Sequence, residues 1–338
     1  MSKNILLIGP YAPRKCGIAT HIVQFKKKLE EEGHNVKVLS YSDCNGDITK
    51  NLKGLLRPLK LLSFKSKFND VYIHFTPEQF FYVGKNFLRF FNFLPLISFL
   101  ILFLFFKKLK LIFHEPPLSK FLYQRWLSFI VWSNVSHAVF FTETEKYSFE
   151  KKFFFRLQIL QSSIQPVNKY FIKYNFPEVS KLKKHKCIDL NKKIFLMTGF
   201  LHPNKGYDIP IEIFKNNNLD NSLLLCLTSI RDRNDLAVLN FNNKIQDLSN
   251  QLDNFIYIDY FMEEKEQDSW IFISDFIIFP YRQISNSGIL GRAKIYNKTC
   301  IVSEAGGLKD QIDKDDIFFK SSAQLENVII DLDANSVI

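Results

Sequence analysis

Apolar runs alternate with amphipathic stretches along the first half of the chain. Each run is short and almost wholly apolar, which is typical of a strand buried on both faces of a parallel sheet. The predicted strands span Asn4–Pro10, Asn35–Tyr41, Asp70–Phe75, Leu109–Glu115, His137–Glu143 and, with the weakest pattern, Leu157–Ser163. Helical stretches lie between most of them, so we expect a parallel sheet covered by helices on both faces.

The stretch after the first predicted strand shows helical periodicity. Ile18, Ile22, Phe25 and Leu29 recur on one face, and Gly33 ends the pattern. The run "KKKLEEE" places lysines four residues before glutamates, which is typical of a solvated helix face. We therefore predict an amphipathic helix that packs against the sheet.

A polar, lysine-rich stretch without a clear period separates the two halves, and the alternation then restarts. The predicted strands of the second half span Ile194–Phe200, Ser222–Ser229, Asn254–Tyr260, Asp275–Tyr281 and Thr299–Glu304, with helices at about 207–216, 234–252, 263–274 and 287–297. The pattern predicts an α/β fold with a domain at 1–165, a linker at 166–192 and a domain at 193–338. Two doubly wound domains usually hold a ligand in the cleft between them, at the carboxyl ends of the strands.

The most apolar segment, residues 90–110, allows three interpretations. Its uninterrupted apolar part, Phe93–Phe106, is shorter than the roughly 20 residues of a spanning helix. A core helix packed on the sheet fits the strand that follows. An interfacial helix would place its Phe/Leu face in a bilayer, with Lys107, Lys108 and Lys110 at the headgroups. A transmembrane span is the third interpretation.

The net charge of +11 points to an anionic partner. The lysines are dispersed, and no zinc finger, arginine-rich tract or RNA-binding motif accompanies them, which argues against nucleic acid. Five scattered cysteines without CxxC pairs argue against a disulfide framework or a structural zinc site. Because "NILLIGP" is also too short for a signal sequence, we expect a cytoplasmic protein, with the inner face of the membrane as an alternative location.

Three glycine-containing loops follow predicted strands, where an anionic ligand would bind. In "GPYAPRKCGIATH", Gly17 opens a helix whose N–H groups can approach an anion, and Arg14 adds charge. In "TGFLHPNKGYD", Gly199 permits close backbone approach and Lys205 lies near the next helix as a phosphate ligand. An ordinary βα turn is the alternative for the first loop, and a capping turn with an exposed lysine is the alternative for the second.

The third loop, "FPYRQISNSGILGRAK", has no Asp, Glu, His or Cys to perform chemistry. The backbone N–H groups of Ser287, Gly288 and Ile289 at the predicted helix start can bind phosphate without any charged side chain. A serine-capped helix start without a ligand is the alternative. The stretch "SEAGGLKD" supplies a further tight turn before a helix.

Together these loops resemble the GT-B glycosyltransferases, and in particular the retaining glycosyltransferase family 4. The resemblance is carried by "GPYAPRKCGIATHIVQFKKKLEEEGHNVKVLS", by "GFLHPNKGYDIPIEIF" and by "DFIIFPYRQISNSGILGRAKIYNKTCIVSEAGGLKDQI". It covers nearly the whole chain and implies two Rossmann-like domains that face a cleft, the first on the acceptor side and the second binding the nucleotide sugar.

The sequence departs from the family pattern at three positions. Phe200 replaces an arginine, and Ile284 and Arg292 stand where two glutamates are usual, as in a Ser-Gly variant of the family. The second glutamate of the family typically holds the ribose. Since a guanidinium accepts no hydrogen bond, we predict that Arg292 contacts a phosphate instead.

The resemblance implies retaining transfer of a sugar from a nucleotide diphosphate sugar to a glycan or lipid-linked glycan in cell-surface polysaccharide synthesis. It implies no metal and no cofactor. The expected donor-side residues are Lys205, Arg292, Gly17, Gly199, Ser287, Gly288 and Ile289, and the expected acceptor-side residues are Arg14, His114 and Glu115. His114, Lys205 and Arg292 are the expected catalytic residues, with His114 positioning the sugar; a buried histidine bonded to backbone is the alternative for His114. A non-catalytic GT-B module that binds a glycan or a protein, and a nucleic-acid-binding protein, are the competing hypotheses.

Overall fold

The computed structural model describes residues 2–41, 43–82, 87–114, 122–135, 137–151, 162–284 and 286–334. Its internal contacts divide the chain into two compact units, Met1–Ile172 and Lys173–Ile338. Each unit is built on one parallel sheet with its own apolar core.

The sheet of the first unit has seven parallel strands. They are β1 (Asn4–Ile8), β2 (Asn35–Ser40), β3 (Ile48–Thr49), β4 (Asp70–Phe75), β5 (Leu109–Phe113), β6 (Ala138–Phe140) and β7 (Ser162–Ile164), in the order β3-β2-β1-β4-β5-β6-β7. The helices are α1 (Gly17–Glu31), α2 (Pro77–Phe80), α3 (Phe93–Phe105), α4 (Leu122–Ser133) and α5 (Glu143–Glu150), with 3₁₀ segments at Arg57–Phe64, Phe87–Asn92 and Val167–Tyr170.

The sheet of the second unit has six parallel strands. They are β8 (Lys193–Phe200), β9 (Ser222–Ser229), β10 (Phe255–Asp259), β11 (Phe276–Phe279), β12 (Thr299–Ser303) and β13 (Ile317–Phe319), in the order β10-β9-β8-β11-β12-β13. The helices are α6 (Val179–His185), α7 (Asp208–Asn216), α8 (Leu236–Ser249), α9 (Glu264–Ile273), α10 (Gly288–Ile295) and α11 (Ser322–Ala334), with 3₁₀ turns at Pro203–Lys205 and Gly306–Asp310.

In both sheets the side on which the chain adds new strands changes once. From the central strand the chain first winds to one side, through β2 and β3 or through β9 and β10, and then returns to the opposite side of that strand. With right-handed crossovers this reversal puts helices on both faces of each sheet, which is the doubly wound arrangement. The predicted α/β fold with two Rossmann-like domains is confirmed.

Most predicted elements occur within a few residues of their expected bounds, because the buried strands are almost continuously apolar. Two short strands, β3 and β13, were not predicted. The prediction for Leu157–Ser163 falls mostly on residues outside the described ranges, and β7 begins at Ser162. The predicted linker contains α6, although the sequence there shows no clear period. The exact domain boundaries stay a prediction.

Helix α3 of the apolar segment packs with one face into the core of the first unit. Phe99 and Phe103 are fully buried and contact the ring of Trp132 on α4. The carboxyl end of the helix is different, since Leu104 and Phe105 are 48% and 60% exposed. The core-helix interpretation therefore describes most of α3. Across the described ranges, every helix is too short or too polar to cross a membrane.

Candidate functional site

The second unit brings its two predicted donor loops together at the point where the strand order reverses. Strands β8 and β11 are neighbours, but β8 connects to β9 on one side and β11 connects to β12 on the other. Loops that leave adjacent parallel strands in opposite directions open a crevice at the carboxyl ends, the usual ligand position in such sheets. The loops concerned are 201–207 and 280–287.

Backbone contacts hold these two loops against each other. Gly206 has a φ of +62°, and a Cβ added to it would lie 2.1 Å from the carbonyl oxygen of Pro280. The Arg282 backbone N–H donates to Asn204 O at 2.8 Å, and the Arg282 guanidinium donates to Pro203 O at 2.8 Å. No other residue type fits at Gly206 without moving backbone, so the approach of the loops depends on this glycine.

Gly199 lies at the carboxyl end of β8, next to the first turn of α10. Its φ is +121°, and a Cβ there would come within 3.6 Å of Ile289 Cγ1. The predicted residues Gly199 and Ile289 are therefore neighbours. An added Cβ would be in ordinary van der Waals contact, so the positive φ is what favours glycine at this position.

Ser287 caps α10, and its own backbone is held from another loop. The Ser287 hydroxyl accepts from the Leu290 N–H at 3.3 Å. Gln311 accepts from the Ser287 N–H at 2.8 Å and donates to the Ser287 carbonyl at 3.2 Å. The Ser287 N–H therefore already has an acceptor in Gln311. The next two N–H groups, of Gly288 and Ile289, are in the first turn of α10, where a helix provides no carbonyl to accept from them.

The loop after β12 supports this arrangement from a third side. Gly306 has a φ of +57°, and a Cβ on it would lie 1.7 Å from the carbonyl oxygen of Ile284. The Ser303 hydroxyl donates to Tyr281 O at 2.7 Å. The loop of residues 280–287 is thus packed between two glycine turns, which fixes the start of α10.

Lys205 lies in the 3₁₀ turn ahead of α7 and not in the helix itself, which begins at Asp208. Its ammonium group is 3.7 Å from the centroid of the Tyr281 ring. This cation–π contact places a half-buried positive charge where the loops after β8 and β11 meet.

Arg292 is buried and bound to an acid. Its Nε donates to Asp268 Oδ1 on α9 at 2.6 Å, and the two side chains are 3% and 1% exposed. Tyr296 donates to the other carboxylate oxygen at 2.8 Å. Burial raises the pKa of Asp268, while Arg292 and Tyr296 act in the opposite direction. The phosphate contact of Arg292 stays a prediction.

The first unit holds the predicted acceptor-side residues and also Gly17, which was predicted on the donor side. Gly17 begins α1 and is exposed, with open space for 4 Å around the point where a Cβ would lie, and Cys16 caps the helix through its sulfur. The contact of Gly17 with the donor stays a prediction. Arg14 lies in the preceding loop, with its guanidinium 3.8 Å from Glu78 and 5.5 Å from the centroid of the Tyr41 ring. Glu115 lies outside the described residues.

His114 follows β5 directly and meets two histidines that the sequence analysis passed over. His74 on β4 is fully buried, and its Nδ1 is 3.1 Å from His114 Nε2. The ring of His21 on α1 is centred 5.2 Å from both of the other rings. Burial lowers the pKa of His114 to about 3; burial and the neighbouring imidazoles lower the pKa values of His21 and His74 well below the ordinary range.

Two signals in the sequence could have found the residues that were missed. His74 lies near the carboxyl end of a predicted strand, and His21 precedes Ile22 on the buried side of the predicted helix. Arg282 could be noted in the polar loop, but its partner could not be predicted. The guanidinium of Arg282 is 2.9 Å from Asp208 Oδ1, and the two residues are 74 positions apart in the sequence.

No protein-family model and no curated protein matches the sequence. Solved structures with low sequence identity do match its fold. Sucrose-phosphate synthase from Thermosynechococcus elongatus is 12% identical, with a TM-score of 0.68 over 98% of this chain and 90% of that one. A glycosyltransferase from Rickettsia africae is 15% identical, with a TM-score of 0.67 over 98% and 88%. Anabaena HepE in complex with UDP-glucose is 12% identical, with a TM-score of 0.62 over 97% and 89%. The chain therefore has the GT-B fold, with two Rossmann-like units.

Proposed function

We propose that the protein is a retaining glycosyltransferase that moves a sugar from a nucleotide diphosphate sugar to a hydroxyl group of an acceptor. The meeting of two loops and a helix start at the reversal point of the second sheet carries this proposal. Gly206 lies against Pro280, and Gly199 lies against Ile289. HepE, which shares the fold, is known in complex with UDP-glucose and with UDP.

The chemistry required of this site is the stabilisation of a leaving diphosphate. Charge develops on the phosphate oxygens as the glycosidic bond to the nucleotide breaks, and preorganised donors stabilise that charge most effectively. Lys205 supplies a positive charge, and the N–H groups of Gly288 and Ile289 point along the axis of α10 from its positive end. We propose that these groups contact the diphosphate.

Retention follows if the acceptor attacks on the face that the leaving group departs from. In that mechanism a β-phosphate oxygen of the donor removes the acceptor proton, so no enzyme nucleophile is needed. This suits a donor loop whose described residues carry arginine, glutamine, serine and asparagine but no carboxylate. We propose transfer without a metal at the diphosphate, because Lys205 and the helix start supply the positive potential there.

We propose that the first unit binds the acceptor, with Arg14, His114 and Glu115 as its residues. The acceptor would be a glycan or lipid-linked glycan of cell-surface polysaccharide synthesis, presented at a membrane. Support comes from α3, whose exposed Leu104 and Phe105 are separated by the buried Phe106 from the exposed lysines Lys107 and Lys108. Apolar side chains beside lysines favour the surface of an anionic bilayer.

Calorimetric titration with a panel of UDP- and GDP-sugars tests the proposal. We expect one donor to bind, and we expect Lys205→Met to weaken its affinity by about tenfold to a hundredfold, the range for a lost charged hydrogen bond. Lys215→Met is the matched control, since Lys215 is exposed on α7 of the same unit. Equal effects of the two substitutions would contradict the assignment of Lys205.

The second candidate function is a GT-B module that binds a glycan or a protein without catalysis. It is favoured by Phe200, Ile284 and Arg292, which replace the arginine and the two glutamates usual in the family that the sequence resembles. Absence of binding to every nucleotide sugar in the panel would support this candidate. Hydrolysis or transfer of a donor sugar would exclude it.

A further inference from the structure

We propose that His21, His74 and His114 form a binding site for a divalent transition metal ion, with zinc as the reference ion. This site lies in the first unit, where β4 and β5 end beside α1. It shares His114 with the proposed acceptor-side residues, but it has no residue in common with the donor loops, which belong to the second unit. It also departs from the expectation, drawn from the sequence, that the protein has no metal site.

The geometry of the three imidazoles carries the inference. One nitrogen from each ring can be chosen so that all three lie within 4.8 Å of one another. His74 Nδ1 and His114 Nε2 are already 3.1 Å apart, close to the roughly 3.3 Å between two nitrogens of a tetrahedral zinc with bonds of 2.0–2.1 Å. Side-chain shifts on the order of 1 Å would bring the third nitrogen, on His21, to bonding distance.

The hydrogen bonding of the cluster is incomplete without a ligand. His21 is 3% exposed and His74 is 0% exposed. Within the ranges that the structure describes, neither ring nitrogen of His21 has a hydrogen-bond partner, and neither has Nε2 of His74. Buried polar atoms of this kind are rare in native proteins, because desolvation without a partner is unfavourable. A metal ion bound by Nδ1 of His74, Nε2 of His114 and one nitrogen of His21 would give that buried His21 nitrogen the partner it lacks.

The surroundings keep the imidazoles neutral and fix their positions. The rings of Phe141 and Tyr170 lie 5.4 Å and 4.8 Å from that of His21, and Phe141 lies 5.2 Å from that of His114. The same burial that lowers their pKa values keeps all three imidazoles neutral at neutral pH, with one nitrogen lone pair on each ring. Binding of both His74 Nδ1 and His114 Nε2 to one ion requires the proton between them to move to the other nitrogen of its ring. Neutral imidazole is the form that binds metals.

The ligand set decides which metals fit. Three nitrogen donors without a carboxylate or thiolate suit zinc, copper, nickel or iron, and they do not suit magnesium or calcium, which require oxygen. Three protein ligands leave a fourth coordination position on a tetrahedral ion. Because the imidazoles bring no negative charge, a hydroxide or another anion in that position would offset the charge of the ion.

Metal analysis of the full chain tests this site. The protein should be made without a histidine tag and with Cys187→Ser, which removes the exposed thiol. After treatment with a chelator, zinc is added back and the excess is removed before elemental analysis. We expect about one zinc per chain, a melting temperature that rises with zinc concentration by mass action, and a cobalt derivative with the absorption of a tetrahedral nitrogen site.

Single substitutions identify the ligands. We expect His21→Asn, His74→Asn and His114→Asn each to weaken zinc affinity by about a hundredfold or more, since even partners outside the ligand set typically contribute 10–100-fold. His185→Asn, at an exposed histidine on α6, should leave zinc binding unchanged. His114 is the partly exposed member, so His114→Asn is the substitution that disturbs packing least.

Two results would overturn the proposal, and the first of them requires no variant. The first is a chain that retains no zinc and whose melting temperature does not respond to the ion. The second is stoichiometric zinc that His114→Asn leaves in place. Nucleotide-sugar titration of the same preparations separates this outcome from the proposed function, because donor binding is assigned to the second unit.

Discussion

Arg292 shows how one side chain acquires a partner that its sequence neighbours do not reveal. The residue stands where the resembled family has an acid, and it forms an ion pair with Asp268, 24 positions earlier in the chain. Both charged groups are almost wholly buried, so each depends on the other for compensation of its charge. The pair joins α9 to α10, and α10 carries the proposed diphosphate contacts.

Removing one partner of this pair should be strongly destabilising. We expect Arg292→Met to lower the free energy of unfolding by about 3–5 kcal/mol, because the Asp268 carboxylate would remain buried without its counter-charge. Denaturant unfolding monitored by circular dichroism measures the change. Adding Asp268→Asn should restore most of the loss, since the double variant leaves no uncompensated charge.

The control for this prediction is Arg231→Met, at an exposed arginine of the same unit. It should change the free energy of unfolding by less than about 0.5 kcal/mol. If Arg292→Met left stability unchanged and abolished nucleotide binding, the phosphate contact predicted from the sequence would be the better description of this residue.

At the scale of elements, the proposed donor site depends on loops that touch through their backbones. Gly306 lies so close to the carbonyl oxygen of Ile284 that an added Cβ would overlap it, so the conformation of each loop constrains the other. A side chain at this position meets two obstacles, a positive φ and an occupied space. Such a contact positions the start of α10 without contributing any atom to a ligand.

We expect Gly306→Ala to lower the free energy of unfolding by clearly more than the roughly 1–2 kcal/mol of a left-handed residue alone. Gly33→Ala is the matched control, because Gly33 has a φ of +84° and no atom within 4 Å of an added Cβ. Equal losses in denaturant unfolding would show that the backbone angle, and not the contact with Ile284, accounts for the effect.

The sequence predicted the elements well and the contacts between them poorly, for a physical reason. Strands such as β8 and β9 are nearly continuous apolar runs, so composition alone marks them. The loops of Gly199, Lys205 and Ser287 were selected as candidate donor loops because ligands usually bind where strands end. The partners Gln311 and Asp268 are distant in sequence and have no periodicity, so only the fold could assign them.

In the histidine cluster, too, a position could be predicted from the sequence but the contacts could not. His114 was selected because it follows a strand, but His21 and His74 look like ordinary members of a buried helix face and a buried strand. Their meeting depends on the order of β1, β4 and β5 in the sheet and on the approach of α1. Gly9 permits that approach, since a Cβ there would lie 2.5 Å from Ile22 and 3.1 Å from His74.

At the scale of the whole molecule, charge and exposed apolar surface occur together in the first unit. The chain carries a net charge of +11, and α3 contacts both α4 and the 3₁₀ segment Phe87–Asn92. Each of these three elements has large apolar side chains that are at least 40% exposed: Leu88, Phe90, Leu104, Phe105, Trp126 and Ile130. This composition supports the proposed contact with an anionic membrane.

Sedimentation with vesicles that contain anionic lipid tests that contact. We expect binding at low salt, weakened by about tenfold or more in the double variant Leu104→Ser/Phe105→Ser, because each side chain contributes about 1.5–3 kcal/mol when buried. Leu236→Ser, at a 73% exposed leucine of the second unit, is the control. An intact protein that stays in the supernatant at every lipid concentration would exclude the contact.

The position of α3 also has a consequence for biosynthesis. This Phe- and Leu-rich helix leaves the ribosome before α4, which covers part of it, and before β6 and β7, which complete the sheet. During that interval the nascent chain exposes an apolar segment that is prone to aggregate. The interval is long because parallel sheets fold slowly, since their strand pairings are distant in sequence. Lys107 and Lys108 follow the helix after one residue, the position at which charged residues oppose self-association of an apolar segment. Yield in expression should therefore depend on the rate of translation and on chaperones more than on the stability of the finished fold.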